Sequence, residues 1–200
     1  MEKNTIWEDM ANRYDTEDRA NIAKIIAETI RSELKDTKQK TALDYGCGTG
    51  LVGLELADQF QSILLVDPSV QMIKQVDQKI KERHIECAST LCCDFLEVLP
   101  DALQFDYVIM SQVLLHIRDS RLILTRLYSV LKQGGHLLIA DFDKNESVIS
   151  DMVRNGFVQS ELKELLRQIG FEAAESRTFL HRKRMFMNED ASLFILNAVK

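Results

Sequence analysis

Apolar positions recur along this chain with two different periods. Over the first 34 residues the period is helical. Trp7, Met10, Ala11 and Tyr14 follow i, i+3, i+4, i+7 spacing, and after a break near residues 15–18 the face continues through Ile22, Ile25, Ile26, Thr29 and Ile30. Residues 35–40 form a polar, mostly basic connector. From Thr41 onward, short apolar runs alternate with helical stripes. Residues 41–45, 62–66, 85–93, 105–111 and 136–140 read as strands. Between them, Leu51, Leu54 and Ala57, then Val70, Ile73, Val76 and Ile80, then Leu122, Ile123, Leu127, Val130 and Leu131 mark helices, the last closed by Gly134-Gly135. This alternation predicts a parallel sheet covered on both faces.

The end of the chain breaks that rhythm. Residues 160–169 read as a helix with Ser160 as N-cap and Gly170 beyond its end. Residues 172–179 and 191–199 read as two strands with no helix between them. A parallel crossover needs a dozen or more residues, so this last pair is expected to be antiparallel.

Composition narrows the class. The 200 residues are 46% hydrophobic and 28% charged, and 25 basic against 31 acidic residues leave a formal charge of −6. A chain of this size buries about 70% of its unfolded surface, enough for one real core. One domain is expected over residues 1–200, with 1–38 as an N-terminal helical cap and 41–200 as the α/β core; two domains are the alternative. No long basic stripe stands out, which argues against a nucleic-acid partner. The first residues lack an apolar core of signal-peptide length, and no run approaches 18 apolar residues, so no membrane association is expected. Cys47, Cys87, Cys92 and Cys93 form no C-x-x-C pair and have no histidine at zinc-ligand spacing, so no metal is expected. Free thiols fit a reducing, cytoplasmic setting, as monomer or homodimer.

The most informative segment is Leu43-Asp44-Tyr45-Gly46-Cys47-Gly48-Thr49-Gly50, between a strand and a helix. Glycines there allow a tight turn and close approach of a ligand to the backbone. The spacing is G-x-G-x-G. The dinucleotide fingerprint G-x-G-x-x-G would need glycine at position 51, where leucine stands, and Gly53 does not restore it. Asp67 ends the next strand, seventeen residues after Gly50. An acid there can accept hydrogen bonds from both ribose hydroxyls of a nucleoside. It equally suits a helix N-cap with Pro68 at the first helical position. Asp94 and Phe95 follow the third strand, as an acceptor for an adenine amino group and a ring to pack on it, or as a loop aspartate and a core phenylalanine.

Residues 43–50, 65–67, 93–95, 105–117 and 131–141 occur in the order and spacing of one family. Over about residues 41–142 the chain resembles a class I S-adenosylmethionine-dependent methyltransferase of the small, stand-alone type. The resemblance implies a Rossmann-like, doubly wound, seven-stranded sheet, mostly parallel with an antiparallel C-terminal hairpin strand. It implies S-adenosyl-L-methionine as cofactor and S-adenosyl-L-homocysteine as product. Carried over by residue, Gly46, Gly48 and Gly50 line the methionine end, with Asp44, Cys47 and Pro68 in the same cofactor site. Asp67 holds the ribose, Asp94 and Phe95 flank the adenine, and Ser111 and Gln112 lie under the transferable methyl. The segment from Trp7 to Tyr14 resembles the family's W-x-x-x-A-x-x-Y-D pattern, in which the tyrosine approaches the cofactor; core packing of a first helix is the alternative.

Methyl transfer from a sulfonium asks the protein mainly for alignment and exclusion of water. His116, just past the fourth strand, is the candidate general base, or else a structural histidine shaping the loop. Asp141 and Asp143 after the fifth strand are candidates to hold a cationic or hydroxylated acceptor, or are solvated loop acids. Residues 147–157 form an irregular insertion in which Met152 and Phe157 are candidate lid residues. The run His181-Arg182-Lys183-Arg184 is expected in the turn between the last two strands, solvated or touching a small anion. In the family, enzymes acting on DNA-base amines or glutamine amides carry D/N-P-P-Y/F after the fourth strand. This chain has Met110-Ser111-Gln112-Val113 there. The expected acceptor is a small molecule. The alternatives are a non-catalytic or regulatory cofactor-binding subunit, or a protein or RNA methyltransferase.

Overall fold

Seven strands form, most of them where apolar residues run without helical spacing. They are β1 (Thr41–Tyr45), β2 (Ser62–Asp67), β3 (Ala88–Cys92), β4 (Phe105–Ser111), β5 (Leu131–Phe142), β6 (Ala173–Phe186) and β7 (Glu189–Val199), in one sheet of order β3-β2-β1-β4-β5-β7-β6. The computed structural model describes Glu8 and residues 10–200, Asn12 by its backbone alone; Trp7 lies outside the described residues. Contacts divide the chain into a first unit ending at Asp101 and a second, Ala102–Lys200.

In the first unit β1, β2 and β3 are parallel. Ala42, Leu43, Ile63, Leu65 and Val66 are fully enclosed, and each buried Leu, Ile or Val side chain is worth about 1.5–3 kcal/mol. Helix α1 (Glu17–Glu33) starts at Thr16, whose side chain accepts from the Arg19 N–H. It buries Ile22, Ala23, Ile26, Ala27 and Ile30, whereas Ile25, expected on that face, points outward. The helix expected around Leu51–Ala57 is a single turn, α2 (Gly53–Leu56), followed by a 3-10 turn (Ala57–Gln59). Helix α3 (Val70–Arg83) is capped by Ser69, which accepts from the Met72 N–H at 3.2 Å. This corrects the helix-cap alternative for Asp67 and Pro68, since both precede the cap. At the other end His84 takes φ +52, and Lys81 and Arg83 sit in the last turn, where the helix dipole favours cations.

In the second unit β4 and β5 are parallel, and β7 runs antiparallel to both β5 and β6, so one strand is reversed, as expected. Helix α4 (Ser120–Val130) is capped by Asp119 and passes directly into β5. Gly134-Gly135 therefore does not end the helix. It lies within β5, where the register steps from Phe105 opposite Leu131 to Tyr107 opposite His136. Lys132 pairs with Asp106 at 2.8 Å and holds the early part of β5 to β4. Helix α5 (Gln159–Ile169) has Val158, not Ser160, at its cap position, with no side-chain cap, and ends at Gly170. The basic run is also displaced from its expected turn. Residues 181–184 lie inside β6, and the turn is Met187-Asn188, both at positive φ, as a two-residue hairpin requires. A sheet-edge strand tolerates charged side chains and benefits from them.

Gly53 shows how closely β1 and α2 approach. A Cβ there would collide with the buried Asp44 carboxylate and come within 3.0 Å of Leu65. Gly53→Ala is expected to cost about 1–3 kcal/mol of stability, the range for overpacking a tight core, read as a lowered urea midpoint at unchanged slope.

Candidate active site

The glycine loop leaves β1 after Tyr45 and is held by the end of β2. The N–H groups of Gly46 and Cys47 both donate to the Val66 carbonyl, at 2.7 and 3.0 Å. Gly46, Gly48 and Gly50 have φ of 72, 54 and 79°, a region that side-chain-bearing residues rarely adopt. The Gly48 N–H donates to Oδ2 of Asp67 at 3.0 Å, and the Ser69 N–H donates to Oδ1 at 2.9 Å. Each carboxylate oxygen retains acceptor capacity, and Asp67 is 9% exposed. Burial raises its pKa, while the Ser69 and Gly48 N–H groups oppose the rise.

Asp44 lies under the same loop, fully buried. Its pKa is raised to about 7, first by burial and then by the Asp67 charge, with the Gly53 N–H opposing. Its Oδ2 has no hydrogen-bond partner among the described residues. Burial raises the pKa of the Cys47 thiol well above its ordinary value, so it stays a neutral thiol and not a nucleophile. Asp94 accepts from the Tyr45 hydroxyl at 3.3 Å and from the Leu96 N–H at 2.8 Å. The Phe95 ring corrects an expectation. It is wholly buried and packs on Tyr45 with centroids 5.0 Å apart, so it offers no open face to an adenine.

The N-terminal segment docks on this loop. The Tyr14 ring lies over Gly48, 3.8 Å from where a Cβ would stand, and Arg19 stacks on that ring at 4.4 Å. Asp15 accepts from the Thr49 hydroxyl and pairs with Lys79, which also donates to the Thr49 carbonyl. The Glu8 carboxylate accepts from the Val70 and Gln71 N–H groups at the start of α3. None of Glu8, Asp15, Ser69 or Lys79 stood out in the sequence. Only Asp15 carried a signal, as the last residue of the Y-D motif.

In the second unit, Ser111 ends β4, and the Gln112 N–H donates to the Ala140 carbonyl at 2.7 Å while Gln112 takes φ +53. A 3-10 turn (Leu114–His116) follows, with His116 half-buried. Asp141 is 0% exposed. Its Oδ2 accepts from the Leu115 N–H at 3.2 Å and its Oδ1 from the Phe142 N–H at 2.8 Å. It is a clamp beneath the turn and not a ligand for an acceptor, which corrects its expected role. Asp143 accepts from Gln159 at 2.6 Å and Thr178 at 2.7 Å, tying the strand end to α5 and β6. Of the two lid candidates, Met152 is exposed, but Phe157 is buried and bridges to Asp143, so it does not act as a lid. Among the described residues no group of three His, Cys, Asp or Glu is placed to hold a metal ion. No described helix is long and apolar enough to cross a membrane.

The family profile described as "Methyltransferase domain" matches residues 36–183. The chain belongs to that family, as the resemblance to class I S-adenosylmethionine-dependent methyltransferases implied. It is 32% identical over 109 residues to an uncharacterized methyltransferase of Schizosaccharomyces pombe, covering 51% of this chain and 38% of that one. It is 28% identical over 122 residues to the tRNA 5-carboxymethoxyuridine methyltransferase of Escherichia coli, covering 58% and 45%. The chain thus spans less than half the length of these two relatives. Phosphoethanolamine N-methyltransferase 2 of Haemonchus contortus, solved with S-adenosyl-L-methionine, shares the fold at a TM-score of 0.71 and 19% identity, over 88% of this chain and 52% of that one.

Asp141 keeps its proton to about pH 7, against 3.8 ordinarily, because burial outweighs the N–H groups of Phe142, Leu115 and Leu114. Between those values the folded protein holds a proton that the unfolded chain has released, so stability falls as pH rises from about 4 to about 7. Asp44 acts with the same sign. Asp141→Asn is expected to flatten part of this slope, read from urea unfolding at about pH 5, 6, 7 and 8; an unchanged slope would show that Asp141 ionises normally.

Proposed function

We propose that this chain transfers a methyl group from S-adenosylmethionine to a small-molecule acceptor by in-line displacement, releasing S-adenosylhomocysteine. The observation that carries this reading is the Asp67 carboxylate, each of whose oxygens accepts a single backbone N–H, from Gly48 of the glycine loop and from Ser69. Its remaining lone pairs suit ribose hydroxyls. The unpartnered Oδ2 of Asp44 suits a hydrogen-bond donor or cationic group at the methionine end. When bound, the cofactor supplies an electrophilic methyl on a sulfonium sulfur. Gly46, Gly48 and Gly50 take the methionine end, with Cys47 and Pro68 beside it, and Asp94 accepts from the adenine amino group. Tyr14 shields the loop from water. Ser111 and Gln112 border the methyl region, and His116 accepts the acceptor's proton.

A small acceptor fits a chain of charge −6 without a long basic stripe. An RNA acceptor is the second reading, favoured by the similarity to the E. coli tRNA enzyme. Steeply salt-dependent RNA binding would select it.

Calorimetric titration with S-adenosylmethionine, S-adenosylhomocysteine and NAD tests the donor. Low-micromolar binding of the two sulfur compounds and none of NAD is expected; no binding of either by folded protein overturns the reading. Binding without turnover of any acceptor would leave a non-catalytic subunit. Asp67→Asn is expected to weaken S-adenosylhomocysteine binding about tenfold or more, the loss for hydrogen bonds to a charged group; retained affinity would remove it from the cofactor site. His116→Ala is expected to lower kcat by about a hundredfold with donor affinity unchanged. Unaltered kcat would return His116 to a structural role.

A further inference from the structure

A cleft of about 490 Å³ lies along the irregular 144–156 segment in the second unit. Lys144 and Arg154 bring two cations to its lining and Glu146 one carboxylate, while Ile149 and Val153 add apolar surface. On a chain of formal charge −6 this positive balance is local.

The carboxylate competes weakly for the cations. Glu146 Oε1 stands 3.8 Å from Lys144 Nζ, and the Glu146 side chain is 83% exposed. Its other oxygen accepts from Asn155 at 3.4 Å, a long hydrogen bond. Exposed pairs of this kind hold each other feebly and yield to a better-placed anion.

Arg154 has a second attachment. Its backbone N–H donates to the Leu115 carbonyl at 2.9 Å, and its Nη2 donates to the Arg118 carbonyl at 2.6 Å. These two carbonyls flank His116 in the chain. The Leu115 N–H is itself held by the enclosed Asp141 carboxylate. The cleft wall is therefore hydrogen-bonded to both sides of the candidate base. A guanidinium is a planar fork of donors, matched to the oxygens of a carboxylate or phosphate.

We propose that this cleft is the acceptor subsite and takes a small organic anion, whose carboxylate or phosphate oxygens are held by Arg154 and Lys144 beside the His116 turn. Its role as an acceptor subsite rests on the methyl-transfer reading above; its preference for anions does not. An apolar ligand body rests on Ile149 and Val153. Occupancy steadies Arg154 and, through the Leu115 and Arg118 carbonyls, the turn that carries His116.

The test uses the full chain, isotope-labelled, with and without S-adenosylhomocysteine, and four probes of one ring: benzoate, phenyl phosphate, benzamide and benzylamine. At least one anion is expected to bind about tenfold or more tightly than benzamide, the gain for hydrogen bonds to a charged group. It should shift the amide resonances of residues 144–156 and 114–118. The tighter of the two anions tells carboxylate from phosphate. Glu146→Gln should tighten anion binding and Arg154→Ala should abolish the preference, with Arg154→Lys recovering only part. Spectra elsewhere in the chain report that each variant is folded. Equal binding of benzamide, tighter binding of benzylamine, shifts confined to other residues, or no binding overturns the proposal. The arm without S-adenosylhomocysteine keeps the two readings apart. Failure of donor binding in calorimetry removes the methyltransferase role and leaves the anion preference to stand or fall on the probes.

Discussion

Two backbone N–H groups, from Gly48 and Ser69, share the carboxylate of Asp67. The glycine loop after β1 and the approach to α3 are both fixed to the end of β2 through that one side chain. The Val66 carbonyl adds the N–H groups of Gly46 and Cys47, so four donors converge on two consecutive residues. The N-terminal segment closes on the same place, with Tyr14 over Gly48, Asp15 on Thr49 and Lys79, and Glu8 on the start of α3. The charge gathered there is negative. Glu8 and Asp94 act electrostatically on Asp67, and Asp67 in turn acts on Asp44. A pyrophosphate would meet repulsion at that loop. Hydroxyl and cationic groups would not, and this is the electrostatic counterpart of a G-x-G-x-G spacing that departs from the dinucleotide fingerprint.

Asp141 does for the second unit what Asp67 does for the first. Both are strand-end aspartates that accept from backbone N–H groups of a neighbouring loop. They differ in enclosure. Asp67 is 9% exposed, whereas Asp141 is 0% exposed and has its carboxylate directed at the 114–116 turn and Phe142. Position along the chain therefore marks both as edge acids, and only burial separates one that can meet a ligand from one that braces a loop.

That distinction sets how much was legible in the sequence. Strands 41–45 and 105–111 fell where apolar runs placed them, and the reversed strand followed from a connection too short for a crossover. The glycine loop and Asp67 were legible because turn geometry restricts residue type. The long β6 was not, because an edge strand with outward charges looks like a polar turn when only hydrophobicity is read. Gly134-Gly135 looked like a helix stop because glycine ends helices and also makes bulges, and only strand pairing tells the two apart. The Phe95 ring and the Asp15–Lys79 pair were hidden for the same reason: both depend on which distant segments meet.

The proposed donor site leaves plainer marks in the sequence than the proposed acceptor site, and the physics of methyl transfer explains the difference. The donor site needs tight turns and acids at strand ends, which leave marks at fixed spacing. The acceptor needs only a shaped, dry position, which many side chains can supply. In this chain the 144–156 segment is pinned mainly near its ends. Lys144 and Asn145 pair with Phe157 and Asn155, and Gly156, at φ +91, packs against the Asp143 carbonyl so closely that no side chain fits. Between those ends Ile149 is 92% exposed and little backbone bonding fixes the course of the chain. A segment anchored at its ends and open in its middle can change its side chains without disturbing the sheet. If the 144–156 cleft is the acceptor subsite, as proposed, acceptor choice is carried by residues that fold selection barely constrains, and no spacing rule records them.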